Sequence, residues 1–406
     1  MNWRIAITFA AALLVSGLQA DDWPDFRGPS RDGSSTEQLT GKLPADGPEQ
    51  LWERAVGAGF SNPVVSNGRL ILFHRQGGSE VVEALEAETG KPAWKYESPT
   101  SYRDDFGFDE GPRASPVVAG GQVYVFGAQG VLTCLRFATG KKIWSVDTHR
   151  EFGVRKGYFG AAGTPLVEGS RVFLNVGGSE GAGIVALDRD TGRLLWKATD
   201  HEAGYASPVA ATLGEKRQIL FFTREGFLAV EPSKGAIFFE KRWRSRSQAT
   251  VNAATPIVAG ERVFLSASYG TGAIALEAQA DGFRELWSGE DSLDNHYSSA
   301  VHHDGVVYGY HGRQEYGPSL RAVQLDTGAV LWSEESFGSG TVTLVGDVLL
   351  LMRENGELVT ARADADRFES LSKAQILSGT VRAYPALADG LFYVRNEQTL
   401  VAVRLN

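Results

Sequence analysis

The sequence predicts an all-β protein: an eight-bladed β-propeller of four-stranded antiparallel blades, its ring closed by N- and C-terminal strands. Three observations predict it. One eleven-residue phrase recurs, as ALEAETGKPAW at 84–94, CLRFATGKKIW at 134–144, ALDRDTGRLLW at 186–196 and AVQLDTGAVLW at 322–332. A second phrase, a small residue, Pro and two apolar residues, opens each unit: NPVV at 62, SPVV at 115, TPLV at 164, SPVA at 207 and TPIV at 255. Weaker forms stand at 299, 341 and 384, and the spacing of about 42–53 residues is a repeat period. Third, the orphan outer strand PEQLWERAVG at 48–57 precedes the first unit, while the last unit stops at LVAVRLN before any turn or Trp. The two halves complete one blade, which hides the edges a ring would otherwise leave open.

From the N-terminus, residues 1–20 read as an export signal. Arg4 is the positive region, IAITFAAALLVSG the apolar run and LQA at 18–20 the cleavage site, so the mature chain is expected to start at Asp21. The apolar run is short for a membrane span. The expected product has no transmembrane segment, is periplasmic or secreted, and acts as a monomer. Residues 21–47, with DDWPDFRGPSRDGSS, lie outside the repeats. Trp23 and Phe26 favour an arm packed across the ring over a disordered lead-in.

Residues 48–406 hold the blades. In the first unit NPVVSNGRLILFHR is two strands around an NG turn, and GSEVVEALEAETGKPAWKYE two more around TG. Four strands of about five residues fill the period and leave no room for a helix. Trp94, Trp144, Trp196, Trp287 and Trp332 mark five outer strands; Phe239 and Leu371 take that register in blades four and seven. In the turn, Asp188 and Asp190 are placed to bind backbone N–H groups, and Gly192 supplies a positive φ. Each Trp is expected to fill the gap to the next blade, received there by the small Ala of the phrase.

The formal net charge of −9 argues against nucleic-acid binding. Cys134 is the only cysteine, so no internal disulfide forms; it holds the Ala position of the phrase and reads as a buried small residue.

At Ala186, Asp188, Thr191, Gly192 and Trp196 the chain resembles the PQQ-like, or quinoprotein-like, β-propeller family, whose tryptophan-docking motif these residues match. Copies at 84–94 and 322–332 match in part, with Glu86 and Gln324 at the Asp position. The resemblance implies one of two functions. One branch holds pyrroloquinoline-quinone (PQQ) alcohol and sugar dehydrogenases; the other holds non-catalytic propellers, including the scaffold lipoprotein of the outer-membrane β-barrel assembly machinery. A single cysteine forbids the adjacent Cys pair of many alcohol-oxidising members. The lipid-bearing Cys of the scaffold lipoprotein is also missing.

The topology predicts where a ligand binds. The loop before each unit's first strand opens on the same face as the end of its second strand. Residues three before the unit Pro form a ring there: Phe60, Arg113, Ala162, Tyr205, Ala253, Tyr297, Ser339 and Arg382. Second-strand ends add Arg75, Arg224, His311, Arg313, Arg353, Arg395 and Asn396. Seven arginines on one face of an acidic protein would attract carboxylates or phosphates. The plainer alternative is internal pairing with Glu225, Glu315, Glu354, Glu397, Asp109 and Glu110.

Long loops at 101–113 and 150–160 carry further polar material. Asp104, Asp105, Asp109 and Glu110 are candidate Ca²⁺ ligands without EF-hand spacing. His296, His311 and Glu315 are candidates for acid–base work, with a structural hydrogen-bond network the plainer reading. His302 and His303 point to opposite faces, which disfavours zinc, and GGSEGAG at 177–183 is a hairpin loop. The expected function is a non-catalytic propeller that binds a protein partner or small anionic ligand on its arginine-rich face. The alternative is a PQQ-dependent oxidoreductase with Ca²⁺ nearby and Asp109 as base.

Overall fold

The computed structural model describes residues 22–248 and 250–405; the export signal expected at 1–20 lies outside them. Eight sheets form the ring. Blade one runs Val64–Ser66, Arg69–Gln76, Ser79–Glu86 and Pro92–Pro99 from the axis outward, and the other blades repeat that order. Glu49–Ala55 pairs with Thr399–Arg404 as the outer strand of blade eight, with Trp52 opposite Ala402. One-turn helices at Thr148–Phe152 and Gln314–Tyr316 sit in connecting loops.

Asp188 and Gly192 act in the turn as read from sequence. The Asp188 Oδ1 accepts from Thr191 N at 3.0 Å and Thr191 Oγ1 at 2.7 Å, and Gly192 has φ 72°. Asp190 does not bind the turn: its carboxylate receives the Gln122 and Arg189 side chains.

The docking of Trp differs from expectation. Ala186 lies opposite Trp196 within one blade. What receives Trp196 on the next blade is the turn glycine, Gly235, where an added Cβ would stand 2.5 Å from the ring. The indole Nε1 donates to Pro232 O in that turn at 3.0 Å. A bare backbone lets the ring lie flat on the turn, and a side chain would hold it off. Trp52, Trp94, Trp144 and Trp287 dock in the same way on Gly90, Gly140, Gly192 and Gly328. Leu371 is also one residue out of register. A bulge precedes each docking position, and in blade seven Ser372, not Leu371, faces Thr360. Blade seven supplies no Trp of its own at that register; the arm covers the gap, with Leu43 N donating to Ser372 Oγ.

At the axis, the small residue before each Pro has a task. Ser115 N donates to Thr164 Oγ1, Thr164 N to Ser207 Oγ and Thr255 N to Ser299 Oγ, each at 2.9 Å. Tyr384 N donates to Asn62 Oδ1 at 2.9 Å. The hydroxyls link neighbouring blades where the inner strands begin and satisfy amides that belong to no ladder.

The arm crosses the axial channel from the hairpin face, opposite the long loops. Trp23, 2% exposed, pairs with Val65, and Pro24 O accepts from Val118 N. Arg31 donates to Thr164 O and Pro165 O and pairs with Asp25. Arg27 donates to Ala300 O on the far side. Ser34–Ser35 adds a parallel strand to Gly340–Val345, and Glu37 accepts from Gly390 N.

Candidate functional site

Over the plugged channel lies a cup of about 630 Å³, open on the long-loop face. Seven of the eight ring positions line it: Phe60, Arg113, Ala162, Tyr205, Ala253, Tyr297 and Arg382, whereas Ser339 does not. Phe26 of the arm and Tyr384 meet edge to face at 5.4 Å and form the floor. Phe106, Phe108, Tyr158 and Phe159 form a lip, with Phe106 and Phe159 centroids 5.3 Å apart. Phe106 and Phe108 are each 54% exposed.

The seven arginines separate by role. Arg113, Arg313 and Arg382 reach the cup. Arg113 is committed to its own loops: its terminal nitrogens donate to Asp104 Oδ2 and Phe159 O at 3.0 Å, and it stacks on Phe60 and Phe159. Burial opposes charge on Asp104, yet the Asp109 and Phe106 amides and Arg113 hold its carboxyl below the usual range. Arg313 lies over Tyr269 at 4.6 Å and pairs with Glu315. Arg382 differs. Its Nε donates to Glu354 Oε1 at 2.8 Å and its guanidinium lies over Phe60, but its two terminal nitrogens make no hydrogen bond to any described residue. Tyr297 donates to the same Glu354 oxygen, which fixes the arginine from behind.

The other four arginines do not reach the cup. Arg75 donates to Tyr102 O and Glu110 O and props the 101–113 loop. Arg395, 1% exposed, donates to Gly57 O, and burial pulls its guanidinium down to about 10. Arg353 pairs with Glu357 over Phe337. Arg224 pairs with Glu202 and lies over the outer side of Tyr158.

The candidates for acid–base work are similarly divided. Asp109, 8% exposed, spends its carboxylate on the Gly59 and Gly111 amides and so staples its loop. His296 lines the cup between Tyr269 OH and Gln314, and burial keeps its pKa below the ordinary value. His311 stands off the cup wall; burial, then Arg321, lowers it to about 4. Glu315 reaches the cup paired to Arg313.

A planar tricarboxylate such as PQQ is matched only in part. The aromatic walls and Arg382 suit a flat anion. A cation seat does not fit the residues: Asp104 holds three amides and Arg113, Asp105 pairs with Lys156, and Glu110 pairs with Arg103. Among the described residues, no three His, Cys, Asp or Glu side chains converge as metal ligands.

In the two long loops it is the aromatics, not the acids named from the sequence, that build the cup. The signal was present as FGF at 106–108 and YF at 158–159. Tyr384, in a weak copy of the unit-opening phrase, gave none.

Residues 78–316 match the family described as outer membrane protein assembly factor BamB. The assembly factor BamB of Yersinia pestis is 24% identical over 263 residues, 61% of this chain and 63% of that protein. The quinoprotein alcohol dehydrogenase PedH of Pseudomonas putida is 26% identical over 151 residues, 36% of this chain and 24% of that protein. The chain thus spans about a quarter of that dehydrogenase's length. The crystal structure of BamB from Moraxella catarrhalis superposes with a TM-score of 0.65 at 16% identity, covering 88% of this chain and 97% of that one. Quinohemoprotein alcohol dehydrogenase from Comamonas testosteroni does so at 0.55 and 15%, covering 95% and 80%. These two show a shared fold.

Proposed function

The chain belongs to the PQQ-type propeller family described as outer membrane protein assembly factor BamB, and from that premise we propose that it is a binding propeller rather than an enzyme. Its ligand is a carboxylate on a flat apolar body, free or carried by a protein partner, and it enters the cup from the long-loop face. The observation that carries this reading is Arg382, held by Glu354 yet offering inside an aromatic wall two nitrogens that bond to no described residue. A fork of this kind takes a carboxylate in two parallel bonds. The assembly-factor role named for BamB of Yersinia pestis supports a protein partner. The export signal expected at residues 1–20 supports a periplasmic or secreted setting. Among the described residues no helix is long and apolar enough to cross a membrane.

The second reading, a PQQ-dependent oxidoreductase, draws on the same walls and on relatives such as PedH. Bound PQQ would supply a two-electron acceptor. In this chain Arg382 would hold one of its carboxylates; among the described residues the carboxylate lining the cup, Glu315, is already paired with Arg313.

The test is calorimetric titration of the chain with 2-naphthoate and with PQQ, each with and without Ca²⁺, followed by dye-linked alcohol oxidation. Calcium-independent binding without turnover is expected. Arg382→Ala should weaken it about ten- to hundredfold, the worth of a charged hydrogen-bonded pair. Calcium-dependent PQQ binding with turnover would move the protein to the oxidoreductases.

A further inference from the structure

A second concavity, of about 410 Å³, adjoins the cup and shares Tyr158 and Gln248 with it. Its wall carries Arg224, Arg242, Arg244 and Arg246 against Glu202 and Glu225, a surplus of two positive charges on a chain of net charge −9. The glutamates are already spent. Glu225 receives both Arg242 and Arg244, and Glu202 receives Arg224. Arg246 is exposed and makes no ion pair with any described residue. Trp243, packed on Phe222, anchors the 242–248 segment, so the groove is fixed to blade four.

We propose that cup and groove form one continuous site for an extended acidic segment of a protein partner. A flat apolar residue with a carboxylate beside it fills the cup, and acidic side chains further along the same segment lie in the arginine groove. This rests on the binding reading of the cup. Three features favour a polypeptide over a small molecule. The two spaces together lie at the upper limit of small-molecule sites. The lip presents Phe106 and Phe108 outward, as a surface that a partner covers. The groove continues past Tyr158, where a ligand confined to the cup makes no contact. Basic residues on an acidic molecule also orient an acidic partner as it approaches.

The test is fluorescence anisotropy on the whole mature chain with two labelled twelve-residue peptides. Both end in Phe with a free carboxylate; one carries four Glu, the other four Gln at the same places. The Glu peptide should bind at least fivefold more tightly at low salt, and the gap should close as salt rises. Arg242→Ala combined with Arg246→Ala should remove that preference while 2-naphthoate binds the cup unchanged. Both residues are exposed, so the fold should be unaffected. If 2-naphthoate binds but the two peptides are equal, or the groove variant keeps the preference, the proposal is overturned and the cup reading stands. If 2-naphthoate fails to bind the unmodified chain, the cup reading itself falls. Tighter binding of single-stranded DNA than of the Glu peptide would also overturn the acidic-peptide assignment.

Discussion

His74 is fully buried, and its Nδ1 accepts the Gly57 amide at 2.7 Å. An accepting Nδ1 carries no proton, so the ring is neutral with its proton on Nε2. Glu83 lies 3.6 Å from that nitrogen and would favour a second proton. Burial opposes it more strongly, helped by Arg395, Lys95 and Arg54, and the pKa falls to about 3. The Gly57 amide agrees with burial, so the pair is not an ion pair at neutral pH. Above the ordinary value of 6.5 the ring is neutral folded and unfolded, and stability does not depend on its titration. Below that, the unfolded chain takes a proton that the native chain refuses. Stability should fall by about 1 kcal/mol per pH unit from this group. His311, lowered to about 4, adds to the loss over the upper part of the same window. Urea unfolding midpoints from pH 7 to 4.5 should therefore decline, and the His74 ring proton shift should stay flat by NMR. A His74 shift that titrates near 6.5 would contradict the assignment.

At the scale of the blade, each Trp clamps its own outer strand to the turn of the next blade. Trp196→Ala removes the ring, its hydrogen bond to Pro232 O and the lid over Gly235. The cost should be about 3–5 kcal/mol, read as a lower melting temperature; an unmoved melt would refute the docking account. Gly235→Ala should also destabilise, because φ is 73° and the added carbon meets Trp196. The blades were legible because the constraint is local and repeated: a turn needs its Asp and Gly, and a strand its alternation. The receiver of the Trp was not legible, since Ala186 and Gly235 are both small and only the register separates them. Leu371 was misplaced for a related reason. A bulge shifts the count by one, and blade seven lacks the Trp that would reveal it. Likewise the ring of cup residues followed from counting back from each Pro, but which arginine stays unpaired depends on loop paths that no spacing encodes.

At the scale of the molecule, the ring is closed twice. Glu49–Ala55 with Thr399–Arg404 closes it at the rim. The arm closes it at the axis, contacting blades one, two, three, six, seven and eight through Val65, Val118, Thr164, Ala300, Leu344 and Gly390. Trp23 and Phe26 pointed to a packed arm, but the task of Arg27 and Arg31 was hidden, because backbone carbonyls across a channel leave no mark in sequence. The same arm sets the depth of the cup, since Phe26 against Tyr384 is its floor. Deleting residues 22–35 should therefore have two separable effects. The rim closure survives, so the far-ultraviolet circular dichroism should stay that of a β-protein. The melting temperature should drop by about 5 °C, as a loss of several kcal/mol implies for a chain of this size. The cup becomes a tunnel, and 2-naphthoate affinity should fall at least tenfold. Phe26→Ala should reproduce much of the affinity loss with little of the melting loss, because the brace remains. A deletion that melts low but binds normally would leave the arm a brace alone; one that binds weakly but melts normally would leave it a floor alone.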